Sequence, residues 1–355
     1  MVTGNPSSER DMARQKDAEQ LRDVKIRALR IAFLSASVQA VIKGVAGLLT
    51  GSLALLATAL DSFGDLLNVS VARVAVAIGA RPPDRQYAFG HGKVESLGAL
   101  FQAALVLPVA GVLVFRGVRR LTVGGEVQNP LSAFIVASLM LVIGILTARI
   151  LRREAEQTDS PSLHGSALTF AVDAATHLGV LVALGVVEVT GWMPADAIAS
   201  LFVAVYVVWC TAKLAMRSGR DLLDERLPED YVRKIDEELA EHEGEYLDYH
   251  RLRTRRAGPE KHIDFHLTIC RYRTMDEAHR LVDHIENALE AIIPQSQVII
   301  HVDPCSPGTT CPGEGVCPLA RDRRHLLPES DWPSHPVGAQ ARELEKQQHA
   351  IEHPE

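Results

Sequence analysis

Long apolar stretches follow one another up to about residue 216, and charged residues are concentrated after that point. A helix needs about 20 mostly apolar residues to cross the roughly 30 Å hydrocarbon core of a bilayer. Six stretches reach or approach that length: 31–49, 53–77, 97–115, 131–148, 167–187 and 195–216. The alternative is a large soluble protein with six buried helices, but globular helices average only about a dozen residues. The pattern predicts an all-α domain of six transmembrane helices.

Lysine and arginine are distributed unevenly around these stretches. Seven precede the first stretch, three lie in the second-to-third loop and three in the fourth-to-fifth loop, whereas the first-to-second and fifth-to-sixth loops contain none. Arg116, Arg119 and Arg120 oppose this trend without reversing it. Because cytoplasmic loops are enriched in Lys and Arg, both termini are predicted to be cytoplasmic. The polar N-terminus does not resemble a cleavable signal peptide.

Composition narrows the function classes. The 355 residues include 44 acidic and 37 basic side chains, for a formal net charge of −7. General nucleic-acid binders neutralise phosphates with Lys and Arg, so nucleic acid is not expected as a partner. Five scattered cysteines do not suggest a disulfide framework.

Two pairs of ionisable residues interrupt the apolar stretches. Asp61 and Asp65 lie in the second stretch, and Asp173 and His177 lie in the fifth. Each pair is spaced i, i+4, so its members share one helix face. Three carboxylates and an imidazole suit a divalent cation, which would displace protons from them. The alternative is a proton relay or a polar packing network without metal. Lys43 is interpreted as a snorkelling or packing residue.

The remainder of the chain predicts a small α+β domain. Helical patterns cover 231–242 and 275–293, and strand patterns cover 246–255, 262–270 and 297–303. The order is αββαβ. Histidine occurs in almost every element, with an aspartate in the last strand: His250, His266, His279, His301 and Asp303. One such histidine alone favours surface or structural duty, but the set suits zinc or a similar ion.

Several fragments together resemble the cation diffusion facilitator (cation efflux) family, closest to its bacterial homodimeric divalent-metal/proton antiporters. The resemblance runs from about Ile31 to Ser306. The fragments are GSLALL at 51–56, DSFGD at 61–65, FGHGKVES at 89–96, ADA at 195–197, LLD at 222–224, LRTR at 252–255 and IIHVDP at 299–304.

The resemblance implies a six-helix transport domain, a cytoplasmic domain of metallochaperone (ferredoxin-like) shape, a homodimer, and alternating access with protons as counter-ion. The family's transport site looks like Asp61, Asp65 and Asp173, but Thr169 occupies the usual histidine position. Either His177 supplies the nitrogen, or the site is mostly oxygen, which would shift preference from zinc toward iron, manganese or cobalt.

The resemblance implies further sites. Asp84 and His91 match a loop site whose other histidine is Tyr87 here, so that site is expected to be weak or absent. A cytoplasmic binuclear site is matched by the five residues His250, His266, His279, His301 and Asp303. Lys93 and Asp224 resemble a charge pair that links the loop to the second domain, and they are hypothesised to hold the protomers together.

The predicted domain organisation is a cytoplasmic segment at 1–27, a transport domain at 28–217, a metal-binding dimerisation domain at 218–306 and a disordered tail at 307–355. The alternative for the tail is a soft-metal site formed by Cys305, Cys311, Cys317 and His325.

The expected function is a secondary transporter in the bacterial inner membrane that exports divalent transition-metal ions against protons. The alternative is a membrane-anchored metal sensor without transport, which would have no use for costly charges in lipid. An intramembrane metalloenzyme would need an additional general base, and none is evident.

Overall fold

The computed structural model describes residues 6–51, 53–123, 130–191 and 194–306. Six long helices make up a helical domain, and each contains a segment long and apolar enough to cross a membrane. The prediction of six membrane-length helices is therefore confirmed. The helices are α1 (Pro6–Thr50), α2 (Leu53–Gly79), α3 (Lys93–Val123), α4 (Pro130–Thr158), α5 (Pro161–Thr190) and α6 (Pro194–Leu222).

Helix α1 is much longer than its apolar stretch. It has 45 residues and begins at Pro6, whereas the apolar stretch begins at Ile31. The residues between these points are mostly Ala, Leu, Glu, Gln, Lys, Arg and Asp, and most of these types favour a helix in water. Hydropathy identifies only the apolar part of such a helix, so the predicted start was too late.

The helices pack through small and aliphatic side chains. One buried cluster joins Leu29 of α1, Val76 of α2, Leu151 of α4 and Phe170 of α5, with alanines between them. Small residues let helix backbones approach closely where lipid provides no hydrophobic driving force between helices. The outward-facing residues are apolar as well, and Leu48 and Phe202 are 74% and 77% exposed. This surface is suited to lipid.

The second unit, called here the C-terminal domain, has the predicted αββαβ order. Strand β2 lies in the middle of a three-stranded sheet, antiparallel to β1 and parallel to β3, with helix α8 as the crossover. Its α+β class is therefore confirmed. The elements are α7 (Glu229–Glu241), β1 (Asp248–Ala257), β2 (Glu260–Ile269), α8 (Met275–Ile292) and β3 (Ser296–Pro304).

Alternation along β2 separates the two faces of the sheet. Ile263, Phe265 and Leu267 point into a core that α7 and α8 cover, while His266 points to the opposite face. Helix α8 begins with a capping box between Thr274 and Glu277. The histidine-bearing face is therefore the one that the helices leave uncovered.

The turn between β1 and β2 packs directly against the start of α3. A Cβ atom on Gly258, which has a φ of 67°, would lie 2.3 Å from the carbonyl oxygen of Gly92. Beside this contact, the Asp159 carboxylate between α4 and α5 lies 2.9 Å from the Lys261 Nζ and 3.2 Å from the Arg256 Nη1. The two domains are thus joined through two loops of the helical domain.

Residues 307–355, and with them Cys311, Cys317 and His325, lie outside the described residues, so the prediction for the tail stays a prediction. Cys305 is described, and it is buried at the end of β3.

We expect Gly258→Ala to loosen the domain junction. Alanine at this positive φ costs about 1–2 kcal/mol of strain, and its methyl group would also collide with the Gly92 backbone. Gly244→Ala is the matched control, because Gly244 also has a positive φ but open space around it. Hydrogen exchange of the 81–95 segment should rise only in Gly258→Ala. Equal exchange in both variants would contradict the proposed clash.

Candidate functional site

The first candidate site lies between α2 and α5. Asp61 and Asp65 are one turn apart on α2, and Asp173 lies on α5. The Asp65 and Asp173 carboxyl groups interact across the helix interface, and Asp61 interacts electrostatically with both. The Asp173 Oδ2 atom is buried and has no hydrogen-bond partner among the described residues. Buried polar atoms normally have partners, so this oxygen is placed to receive one from outside the protein.

The fourth ligand predicted for this site is less closely placed. His177 is half-buried one turn beyond Asp173 on α5. The Thr169 hydroxyl donates to the Gly165 carbonyl oxygen at 3.3 Å, so it is engaged with its own helix. In the described part of the chain, no three of Asp61, Asp65, Asp173 and His177 have ligand atoms within 4.8 Å of one another. The carboxylates are neighbours in this conformation but do not yet form a closed cage.

Sequence reasoning missed one charged neighbour of this cluster. The Lys43 Nζ donates to the Ser62 Oγ at 3.1 Å, inside the helical domain, and only 4% of Lys43 is exposed. This placement does not fit a lysine that extends toward the lipid headgroups, so it supports the packing interpretation and not the snorkelling one. The sequence does contain a signal for this neighbour. Lys43 is a charged residue inside the first apolar stretch, and the next stretch carries Asp61 and Asp65.

Asp84 and His91 lie close together in the loop between α2 and α3. His91 Nε2 lies 3.7 Å from Asp84 Oδ2, and the Tyr87 ring lies 4.6 Å from the His91 ring. The backbone N–H groups of Tyr87 and Gln86 donate to Asp84 Oδ1 and lower the pKa of that carboxyl below its ordinary value. Asp84 and His91 supply two ligands without a third His, Cys, Asp or Glu close by in the described ranges.

The second candidate site lies on the uncovered face of the C-terminal sheet. His250, His266 and Asp303 place one ligand atom each within 4.8 Å of one another. Asp303 Oδ2 is 2.8 Å from His266 Nδ1 and 3.4 Å from His250 Nε2. Two imidazoles and a carboxylate are a common ligand set for zinc and similar ions.

Strand register explains why these residues meet. His266 on the central strand lies opposite His250 on β1 and His301 on β3. His301 Nε2 is 3.3 Å from the other Asp303 oxygen, which places His301 at the margin of the cluster. A bulge follows His250, with Arg251 at a φ of 56°. Bulges reorient side chains, and hydropathy alternation does not predict them.

Asp248 is a second residue that sequence reasoning missed. Its Oδ2 lies 3.4 Å from His250 Nδ1, while the Nε2 of the same ring faces the cluster. The contact is not a hydrogen bond, because His250 Nδ1 has no hydrogen-bond partner among the described residues, so Asp248 acts on the ring through its charge. The sequence signal was the spacing. Asp248 and His250 are two residues apart, so they share one face of strand β1.

His279 lies outside this cluster within one protomer, and its expected place in the cytoplasmic site of a homodimer stays a prediction. It lies on α8, 71% exposed, with its Nε2 3.6 Å from Asp283. Helix α8 covers the opposite face of the sheet. The carboxylate beside His279 is that of Asp283, one turn further along the same helix. The sequence analysis grouped His279 with the histidines on the strands because all of them lie in one domain. The sequence does not show which face of the sheet each residue occupies.

Lys93 and Asp224 form a pair inside one protomer. Their Nζ and Oδ atoms are 3.0 Å apart, and the Arg255 Nη1 lies 3.5 Å from the same carboxylate. Although partial burial acts to raise it, the pKa of Asp224 is lowered overall by Lys93 and Arg255. The pair joins α3 to the segment after α6 within one protomer, as expected for a link between the loop and the second domain, and its hypothesised role in holding the protomers together stays a prediction.

Comparison with known proteins gives matches over both domains. A family model for the cation efflux transmembrane domain matches residues 29–223, and one for the cation efflux protein cytoplasmic domain matches residues 227–305. The cation-efflux pump FieF of Shewanella oneidensis is 33% identical over 74% of this chain and 88% of its own. FieF of Yersinia pestis (strain Pestoides F) is 32% identical over 82% and 96%. A solved chain of CzrB in its zinc form is 44% identical over 23% of this chain and 92% of its own, with a TM-score of 0.22.

Charge reversal in Lys93→Glu should weaken the domain junction, because the new carboxylate would face Asp224. The pair is partly exposed, so we expect a loss of about 1 kcal/mol in the free energy of unfolding. Arg233→Glu, on exposed α7, is the control. Thermal unfolding in detergent and the dimer fraction by light scattering give the comparison. A dimer that dissociates without any loss of junction stability would support the hypothesised role between protomers instead.

Proposed function

This chain belongs to the cation efflux (cation diffusion facilitator) family, and on that premise we propose that it exports divalent transition-metal ions from the cytoplasm in exchange for protons. The family consists of membrane transporters for metal cations rather than enzymes. The observation that carries the proposal is the approach of Asp65 and Asp173 across the α2–α5 interface, with one Asp173 oxygen buried and unpartnered.

The presence of three aspartates within membrane-length helices needs a physical explanation. An ionised group inside a membrane domain is costly unless it meets a partner or a water-filled path. Asp61, Asp65 and Asp173 together offer hard oxygen ligands and up to three negative charges on two facing helices. A divalent cation gains from both features, whereas a polar packing network would use the hydrogen-bonding capacity of every buried oxygen.

Proton exchange follows from the same ligands. A carboxylate must be ionised to coordinate a metal, so metal entering the site releases any protons bound there. When the metal leaves on the far side, protons restore the neutral state of the buried groups. Alternating exposure of α2 and α5 to the two sides then couples outward metal movement to inward proton movement.

Metal preference is proposed to lie in the zinc, iron, manganese and cobalt class. Thr169 points its hydroxyl at the Gly165 carbonyl, which favours His177 as the source of a nitrogen ligand or a site made of oxygen. Oxygen ligands alone suit manganese or ferrous iron better than zinc, and one imidazole restores affinity for zinc.

The C-terminal cluster of His250, His266 and Asp303 is proposed as a regulatory metal site rather than part of the transport path. It lies on the uncovered face of the sheet, and a second copy of the chain in a homodimer could cover that face. Zinc or a similar ion would be held by the two imidazoles and the Asp303 carboxylate, with the charge of Asp248 beside His250. The proposed location is the bacterial inner membrane, with both termini in the cytoplasm.

A membrane-anchored sensor without transport is the competing function. It would need only the C-terminal cluster, and the aspartates of α2 and α5 would then have no role that offsets their cost. Flux measurements separate the two functions.

We expect Asp65→Ala and Asp173→Ala each to abolish metal flux into inside-out vesicles, with a loss of 100-fold or more, because each removes a charged ligand from the membrane site. Asp84→Ala, in the two-ligand loop pair, is the control and should retain near wild-type flux. Zinc and manganese are assayed in parallel at equal protein levels. Wild-type flux in either membrane variant would end the proposal.

His266→Ala should remove the stabilisation of the protein by added zinc while sparing the maximal flux. Metal that binds only the folded state stabilises it by an amount that grows with the logarithm of metal concentration over the dissociation constant, and His266 is the central ligand of the C-terminal cluster. His284→Ala is the matched control, because that side chain is exposed on α8 beside His242 and is not among the predicted ligands. The regulatory assignment fails if His266→Ala stops flux as completely as Asp65→Ala.

A further inference from the structure

Helix α1 brings a positive charge to the acidic cluster of the membrane domain. Lys43 is 4% exposed, and its Nζ donates to the hydroxyl of Ser62, which lies between Asp61 and Asp65 on α2. Burial of a lysine to this degree is rare unless the ammonium is paired. The hydrogen bond holds the ammonium between α1 and α2, within electrostatic reach of Asp65.

The electrostatic neighbours of Lys43 come from both helices of the site. Its ammonium interacts with the Asp65 carboxyl of α2 and with Asp173 and His177 of α5. These are three of the four residues predicted to hold the metal. The same charge attracts the carboxylates and repels any cation that they bind.

We propose that Lys43 is a tethered counter-ion of the membrane metal site, which sets the net charge of its ionised carboxylates to that of one divalent cation. The inference rests on the proposed function. Asp61, Asp65 and Asp173 contribute three negative charges and Lys43 one positive charge, which leaves −2. A divalent ion then neutralises the site, whereas a monovalent or trivalent ion leaves an uncompensated charge in a region where such charge is expensive.

The ammonium also limits how tightly the metal is held. Conduction and transport require a site that binds well enough to load but weakly enough to release. Three carboxylates without a counter-charge would hold a divalent cation more tightly than transport requires. Lys43 offsets part of that attraction in every conformation that keeps its hydrogen bond to Ser62.

A purely structural role makes a different prediction. If Lys43 served only to tie α1 to α2 through Ser62, a neutral side chain would change stability but not metal affinity. Lys43→Met removes the charge and keeps the length of the side chain, while Lys43→Arg keeps the charge. Comparison of the two variants separates charge from packing.

The test measures the half-saturating zinc concentration for flux in full-length protein reconstituted into liposomes at pH 8, where protons compete least. We expect Lys43→Met to lower that concentration by about tenfold or more and to slow the maximal rate, and Lys43→Arg to stay within about threefold of wild type. Lys213→Met is the control, because Lys213 is exposed on α6 beside Trp209.

Direct zinc binding to the detergent-solubilised full chain provides a second readout. The difference between each variant and the same variant carrying Asp65→Ala isolates the membrane site from the C-terminal cluster. An unchanged or weaker affinity in Lys43→Met, or equal tightening in Lys43→Arg, would overturn the inference. If instead the wild-type protein shows no Asp65-dependent flux, the proposed function itself fails, so the two failures are distinct.

Discussion

The structure depends on keeping ionisable groups buried between two membrane-length helices. Asp65 and Asp173 interact across the α2–α5 interface, and Lys43 reaches them from α1. Water cannot solvate these groups within a closed helix bundle, so each must be compensated by a neighbour, a proton or a bound ion. The alanine-rich packing of α1, α2 and α5 brings the backbones close enough for this compensation. The apolar packing of these helices thus sets how closely the charged groups approach one another.

The C-terminal domain is attached to the loops that begin two of these helices. Asp159, immediately before α5, lies against Arg256 and Lys261 of the sheet, and Lys93 at the start of α3 lies against Asp224. Partial burial acts to raise the pKa of Asp159, but Arg256 and Lys261 lower it overall. Its contribution to stability is accordingly present at neutral pH and lost only as pH falls through that lowered pKa. Any displacement of the sheet is passed to the start of α5 while these pairs hold.

The sequence predicted periodic features well and relative placement poorly. Apolar length and strand alternation identified six helices and the αββαβ order, because burial imposes both patterns residue by residue. They could not place His279 on the face opposite His266 or locate the bulge after His250. Those outcomes depend on strand register and on which face of the sheet the helices cover, and local sequence patterns contain neither. For Lys43 the sequence left snorkelling and packing as alternatives, because its partner Ser62 lies on another helix.

The two candidate metal sites differ in how their charge is balanced. In the C-terminal cluster, two imidazoles and one carboxylate lie half-buried near solvent, so water can compensate part of the charge of the empty site. In the membrane cluster, Asp65 and Asp173 approach each other between α2 and α5, while Asp61 lies exposed one turn before Asp65. An ionised carboxylate inside a membrane domain needs a partner, and the proposed roles supply one as a bound divalent cation, a proton or the Lys43 ammonium. The same proposals assign exchange of the metal to the membrane cluster and retention of the metal to the C-terminal cluster.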